Sequence, residues 1–111
     1  TSKNRPASLG SKFSFEIGGL SGNPIRDLSN NVLKNIAKKT NGEIALIGVG
    51  GISSGKDIYE KIKLGASAVQ LYTALTYEGS IVIRRMKRDL IKLLKKDGYS
   101  NISEAIGSEI D

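Results

Sequence analysis

The chain of 111 residues has no histidine, no cysteine and no tryptophan, only two prolines, and aromatic residues at 5%. Without cysteine there are no disulfides and no thiolate metal sites, as expected of a reducing compartment. Without histidine the commonest general base and metal ligand is missing. Any proton-transfer residue is therefore expected outside this chain, and no catalytic or metal-ligating residue is assigned within it. No stretch approaches the roughly 18 consecutive apolar residues of a membrane span, and no signal peptide opens the chain. Scarce aromatics also leave few platforms for stacking nucleobases.

Glycine, by contrast, is plentiful, and a pair of glycines sits at the end of an apolar run. The run Ile44-Ala-Leu-Ile-Gly-Val-Gly-Gly-Ile52 is followed by Ser54-Gly-Lys-Asp57, a Ser-x-x-Asp pattern resembling a capping box. The helix it opens carries Ile58 and Ile62 inward and ends at Gly65. A second apolar run, Ala66-Ser-Ala-Val-Gln-Leu-Tyr-Thr73, comes next. Strands at about 44–49 and 68–72 joined by one helix make a βαβ unit with parallel pairing. Glycines at a strand's end let backbone N–H groups approach an anion, and the following helix start favours negative charge. Thr73, with a hydroxyl and a backbone N–H, is placed to complete such a cradle, and Tyr72 stands beside it. In eight-stranded α/β barrels the loops after the last two strands commonly hold a phosphate. A whole barrel needs roughly 200 residues or more. This chain therefore reads as α/β, the C-terminal part of a (β/α)₈ TIM barrel.

Residues 1–25 read as a long active-site loop, polar and rich in glycine and serine, ending in Gly18-Gly-Leu-Ser-Gly-Asn-Pro24. That glycine-rich run fits neither the P-loop nor the Gly-x-Gly-x-x-Gly spacing. Residues 26–111 supply the last two βα units and a terminal helix, all within one domain spanning 1–111. A helix is expected from Asp27 to Lys39, with Leu28, Val32 and Ile36 on one stripe, Leu33 and Ala37 beside it, and Asn41-Gly42 as its stop. A long helix is expected from Gly79 to Lys96, with Val82, Met86, Leu90 and Leu93 on its apolar face. A short terminal turn follows near Ser103–Ile106.

Net charge is +6, from 17 Lys plus Arg against 11 Asp plus Glu. Most of the excess lies on that long helix, where Arg84, Arg88, Lys92 and Lys95 share one face. A solvated face accounts for this pattern, with lysines favouring the helix C-terminus. Nucleic-acid binding by a basic module is the alternative, and the sequence holds no known recognition motif for it.

Gly18-Gly-Leu-Ser-Gly22, Gly48-Val-Gly-Gly-Ile52, Gly65-Ala-Ser-Ala-Val-Gln-Leu-Tyr-Thr73 and the tail Asp97-Gly-Tyr-Ser-Asn-Ile-Ser-Glu-Ala-Ile-Gly107 together resemble the C-terminal part of dihydroorotate dehydrogenase. The Gly-Gly-Leu-Ser-Gly loop and the Val-Gln-Leu-Tyr-Thr strand are similar to the class 2, quinone-linked enzymes. The resemblance implies an FMN-containing barrel that oxidises dihydroorotate to orotate in pyrimidine synthesis and passes electrons to a quinone. It implies peripheral attachment to a bacterial or mitochondrial inner membrane, and no nucleic-acid partner. Carried over, Gly22, Gly51, Tyr72 and Thr73 are the cofactor-binding residues, and a side chain at Gly51 is expected to occupy the phosphate approach. The catalytic base and the orotate-binding residues are expected upstream of Thr1, in the remainder of the barrel. Another phosphate-binding barrel, resembling inosine-monophosphate dehydrogenase or another flavin enzyme, shares the Gly-Gly strand end and the Gly-Ala-Ser-Ala-Val run.

Overall fold

The computed structural model describes residues 9–10 and 18–110. Residues 1–8 and 11–17 of the expected 1–25 loop lie outside the described residues.

A 3₁₀ turn at Asn23–Ile25 leads into helix α1, Arg26–Thr40. The expected Asn41-Gly42 stop is present: Asn41 takes the left-handed conformation at φ 53° and donates its N–H to the Ala37 carbonyl. Strand β1 is Ile47–Val49, α2 is Gly55–Lys63, and β2 is Ala68–Gln70. The two strands pair in parallel, Ile47 with Ala68, Gly48 with Val69 and Val49 with Gln70. Ser54 caps α2 as its spacing predicts, accepting the Asp57 N–H at 3.2 Å.

Two expectations need correction. The strands are shorter than the apolar runs, because ladder hydrogen bonds stop where the glycine turn begins and where Leu71 leaves the sheet. The helix expected from Gly79 is preceded by another, α3, Thr73–Glu78, and α4 proper is Ile81–Lys96. Gly79, at φ 77° and ψ −176°, separates them in a conformation that neither helix can contain. The terminal turn is 3₁₀, Ile102–Ala105.

The core forms where α2 packs on α4 against the strands. Ile58, Ile62, Val82, Met86 and Ala66 are buried there, joined by Leu33 of α1 and Ala105 of the terminal turn. Tyr59 is buried with its hydroxyl donating to the Asp97 carboxylate, and the Lys63 ammonium lies 4.6 Å from its ring centroid. Burial, reinforced by that carboxylate, pushes the Tyr59 phenol well above its ordinary value. On α4 the basic residues Arg84, Arg88, Lys92 and Lys95 are all exposed, as a solvated face requires.

The α1 stripe divides. Leu33 and Ala37 are buried, whereas Leu28, Val32 and Ile36 line an open apolar groove of about 360 Å³ between α1 and β1. Ile47 and Val49 are also exposed, at 62% and 48%.

Candidate anion-binding site

Three chain segments meet at the C-terminal ends of the strands. After β1 the chain turns through Gly50 at φ 103° and Gly51 at φ 72°, both in the region that side chains disfavour. After β2 it passes Leu71 and Tyr72 to Thr73, the first residue of α3. Over both comes the glycine-rich loop, where Gly22 stands at φ 83° and the Ser21 hydroxyl lies 2.8 Å from the Thr73 hydroxyl. Between the three lies a cavity of about 200 Å³, lined by Ser21, Gly22, Gly50, Gly51, Tyr72 and Thr73 with Ile25, Val49, Ile52, Gln70 and Leu71. Ser21, Gly22, Ile52 and Thr73 also border a second hollow of about 730 Å³, which extends to Leu20, Pro24, Ala74 and Tyr77.

All four residues expected at the site, Gly22, Gly51, Tyr72 and Thr73, line the smaller cavity. Ser21 and Gly50 join them, and both could have been included from their places in the same glycine motifs. Tyr72 keeps its side chain 78% exposed, and its carbonyl accepts from the N–H and hydroxyl of Thr76.

The reason for glycine at 51 differs from the expected one. A Cβ there would stand 2.2 Å from the Arg26 Cβ and 2.5 Å from its Cα, so it would strike α1 rather than fill the phosphate approach. At Gly50 a Cβ would meet Ser29 and Ile25 of the same helical segment at 3.1 Å. At Gly48 it would come within 2.9 Å of the Lys61 stem. The glycines of Gly48-Val-Gly-Gly51 thus admit α1 and α2 side chains close behind the strand. Gly22 faces the site itself: its Cβ would sit 2.9 Å from the Thr73 methyl.

Behind the strand end lies a buried polar seam between α1 and α2 that sequence reading missed. Asp57, 5% exposed, accepts from the Ser53 N–H and hydroxyl at 3.0 Å each and from the Arg26 guanidinium at 3.1 Å. Burial raises the Asp57 pKa, but the Ser53 and Ser54 hydrogen bonds and the Arg26 charge outweigh it, leaving the carboxyl below its ordinary value. Lys61 is fully buried and donates to the Ser29 hydroxyl at 3.1 Å and the Asn30 amide oxygen at 2.7 Å. Burial holds its amine below the ordinary lysine value; Asp57 and Glu60 oppose that shift, and Arg26 adds to it. The Ser-x-x-Asp pattern marked Asp57 as a capping residue only. Nothing in the order of residues joins it to Arg26, 31 positions earlier.

The lowered Asp57 pKa has a consequence for stability against pH. The carboxylate contributes fully above its unfolded value of 3.8, and that contribution is lost as pH falls through the lower folded value. Asp57→Asn in the full-length protein is expected to cost about 2 kcal/mol at neutral pH, since Arg26 is partly solvated. The gap to wild type should narrow as pH falls below about 4. Urea titrations across pH would check this, and a gap independent of pH would contradict it.

A parallel βαβ unit with a glycine turn after β1 and Thr73 after β2, roofed by a glycine–serine loop, defines an α/β protein with a cavity of about 200 Å³ at the C-terminal edge of its sheet. The comparisons with known proteins make this assignment specific. The sequence profile of the dihydroorotate dehydrogenase family matches residues 3–94, and the chain belongs to that family. It is 50% identical over 107 residues to the mitochondrial dihydroorotate dehydrogenase (quinone) of Mus musculus, covering 96% of this chain and 27% of that protein. It is 49% identical over 110 residues to the dihydroorotate dehydrogenase (quinone) of Natronomonas pharaonis, covering 99% of this chain and 31% of the relative. The crystal structure of the Eimeria tenella enzyme in complex with ferulenol superposes with a TM-score of 0.94 at 44% identity, over 98% of this chain and 29% of the other. The chain therefore spans less than a third of the length of these relatives.

Proposed function

We propose that this chain is the FMN-phosphate-anchoring, C-terminal part of a class 2 dihydroorotate dehydrogenase, which oxidises dihydroorotate to orotate and delivers the electrons to a quinone. The observation that carries the reading is the cavity between Gly22, Gly50, Gly51 and Thr73, where strand-end backbone and two hydroxyls converge. Family membership and quinone-type relatives supply the chemistry that this cavity serves. Barrel architecture is supported by the exposed Ile47 and Val49 and by the apolar groove beside them, which are surfaces a neighbouring strand and helix would cover.

The residues present fit a flavin phosphate. Gly22, Gly50 and Gly51 hold the backbone in positive-φ turns around the cavity, and the paired Ser21 and Thr73 hydroxyls offer donors to an oxyanion. The larger hollow beside Leu20, Ile52 and Ala74 is the space left for the rest of the cofactor. A bound flavin would supply the redox chemistry. This chain binds and orients: the loop at Gly22 closes one side, and Thr73 holds the anion from the other. Asp57 is committed to Ser53 and Arg26 and lines neither hollow; on the family resemblance, proton abstraction is assigned to a residue elsewhere in the full-length protein.

The quinone acceptor in the relatives' names supports attachment to a bacterial or mitochondrial inner membrane. Among the described residues no helix is long and apolar enough to cross one.

The test is direct. Full-length protein is expected to carry FMN, identified after acid release, and to reduce a quinone only when dihydroorotate is supplied. Protein purified without flavin and unable to bind it would overturn the reading. Thr73→Ala should weaken FMN binding about tenfold, the worth of one hydrogen bond to a charged group. Its unfolding midpoint should stay close to wild type because Thr73 lies at the surface of the site. An unchanged FMN dissociation constant would remove Thr73 from the site.

A further inference from the structure

Lys61 has a role that the flavin chemistry does not use. Its amine is buried between α1 and α2 and ends on Ser29 and Asn30, and Lys61 is not among the residues lining the cavity. The Ser29 hydroxyl accepts from Lys61, so its own proton is free to point elsewhere, and it donates to the Val49 carbonyl. Such a chain of hydrogen bonds polarises and fixes each member. The Val49 carbonyl is thereby turned toward α1. In a trans peptide the carbonyl and the next N–H point in opposite directions, so the Gly50 N–H is turned away from α1. Val49, Gly50 and Gly51 line the cavity, while Ser29 stands behind them against Gly50.

We infer that Lys61 is a positioning residue for the anion cradle, setting the orientation of the Val49–Gly50 peptide through Ser29. Three features support this beyond the hydrogen bonds. Gly48 makes room for the lysine stem, since a Cβ there would meet it at 2.9 Å. Gly50 makes room for Ser29 in the same way, at 3.1 Å. A buried amine is also costly to retain where only helix packing is needed, because an apolar side chain of similar length would fill the same space.

The inference rests on the flavin-phosphate reading above, and its test separates the two. Full-length protein stripped of flavin is titrated with FMN and with riboflavin, which lacks the phosphate, and the two dissociation constants are compared. Wild type should favour FMN by about 100-fold or more, the equivalent of two charge-assisted hydrogen bonds. Lys61→Met should lower that preference about tenfold while leaving riboflavin affinity within about threefold. Ser29→Ala, which keeps the lysine and places a good helix former in α1, should lower the preference in the same direction.

A wild type that binds both flavins equally would overturn the phosphate cradle itself, and this inference with it. A wild type that favours FMN, with both variants keeping the full preference, would overturn the role of Lys61 alone. So would an equal weakening for FMN and riboflavin, which marks a packing defect. If Lys61→Met fails to fold, Ser29→Ala decides by the same ratio.

Discussion

Gly51→Val in the full-length protein is expected to lose both its flavin and about 4 kcal/mol of stability. A valine at φ 72° would be a backbone outlier, since β-branched residues are the least tolerant of positive φ. The larger effect is collision. A Cβ at this position would overlap Arg26, including its Cα at 2.5 Å, so no change of side-chain rotamer relieves it. Helix α1 must retreat, which separates Arg26 from Asp57 and Ser29 from the Val49 carbonyl. The cradle would lose its backing as well as its shape. Calorimetry of the flavin-free protein distinguishes this from simple obstruction of the phosphate, which would remove flavin but leave the unfolding temperature intact. A stable variant with full flavin content would sink the assignment of Gly51 to the site.

The second large effect is expected at a glycine that sequence patterns do not mark as important. Gly55 opens α2 and is buried, and a Cβ there would stand 2.7 Å from the Met86 carbonyl and 2.8 Å from the Leu90 nitrogen of α4. Those are main-chain atoms in the middle of a helix, so they cannot move aside singly. Gly55→Val would force α2 and α4 apart over Ile58, Ile62, Val82 and Met86, the centre of the core. The expected cost is about 3–5 kcal/mol, comparable with other severe packing defects. Gly55 does not line either hollow of the proposed flavin site, so the fraction that folds should still bind FMN. Denaturant titration of the full-length protein measures the loss, and a change below about 1 kcal/mol would contradict the packing argument.

These two glycines show what could be read in advance and what could not. Apolar runs ending in glycine, the Ser54 cap and the Asn41-Gly42 stop located α1, β1, α2 and β2 in order, because each of these signals is local. Backbone hydrogen bonding and capping involve residues a few positions apart, so spacing alone reports them. Gly51, Tyr72 and Thr73 likewise end or follow a recognisable run, whereas Gly22 came from the family resemblance; all four line the cavity. Helix α3 escaped notice because its six residues, Thr73–Glu78, carry no start signal beyond the end of a strand and are too short for periodicity. The break at Gly79 was therefore read as a beginning.

The amino-acid sequence by itself determined the α/β class, the parallel βαβ order, the glycine turn after β1 and the family to which the chain belongs. Only the tertiary structure decided what those glycines are for. Gly48, Gly50 and Gly51 make room for Lys61, Ser29 and Arg26, side chains that come from the helices before and after β1 in the chain. Tertiary structure also decided that Asp57, a capping residue by its pattern, pairs with Arg26, and that Lys61, one of many lysines, is buried among neutral partners. The physical reason is that burial and close approach depend on which surfaces are brought together, and that information is distributed across segments tens of residues apart. A glycine records only that something must come near.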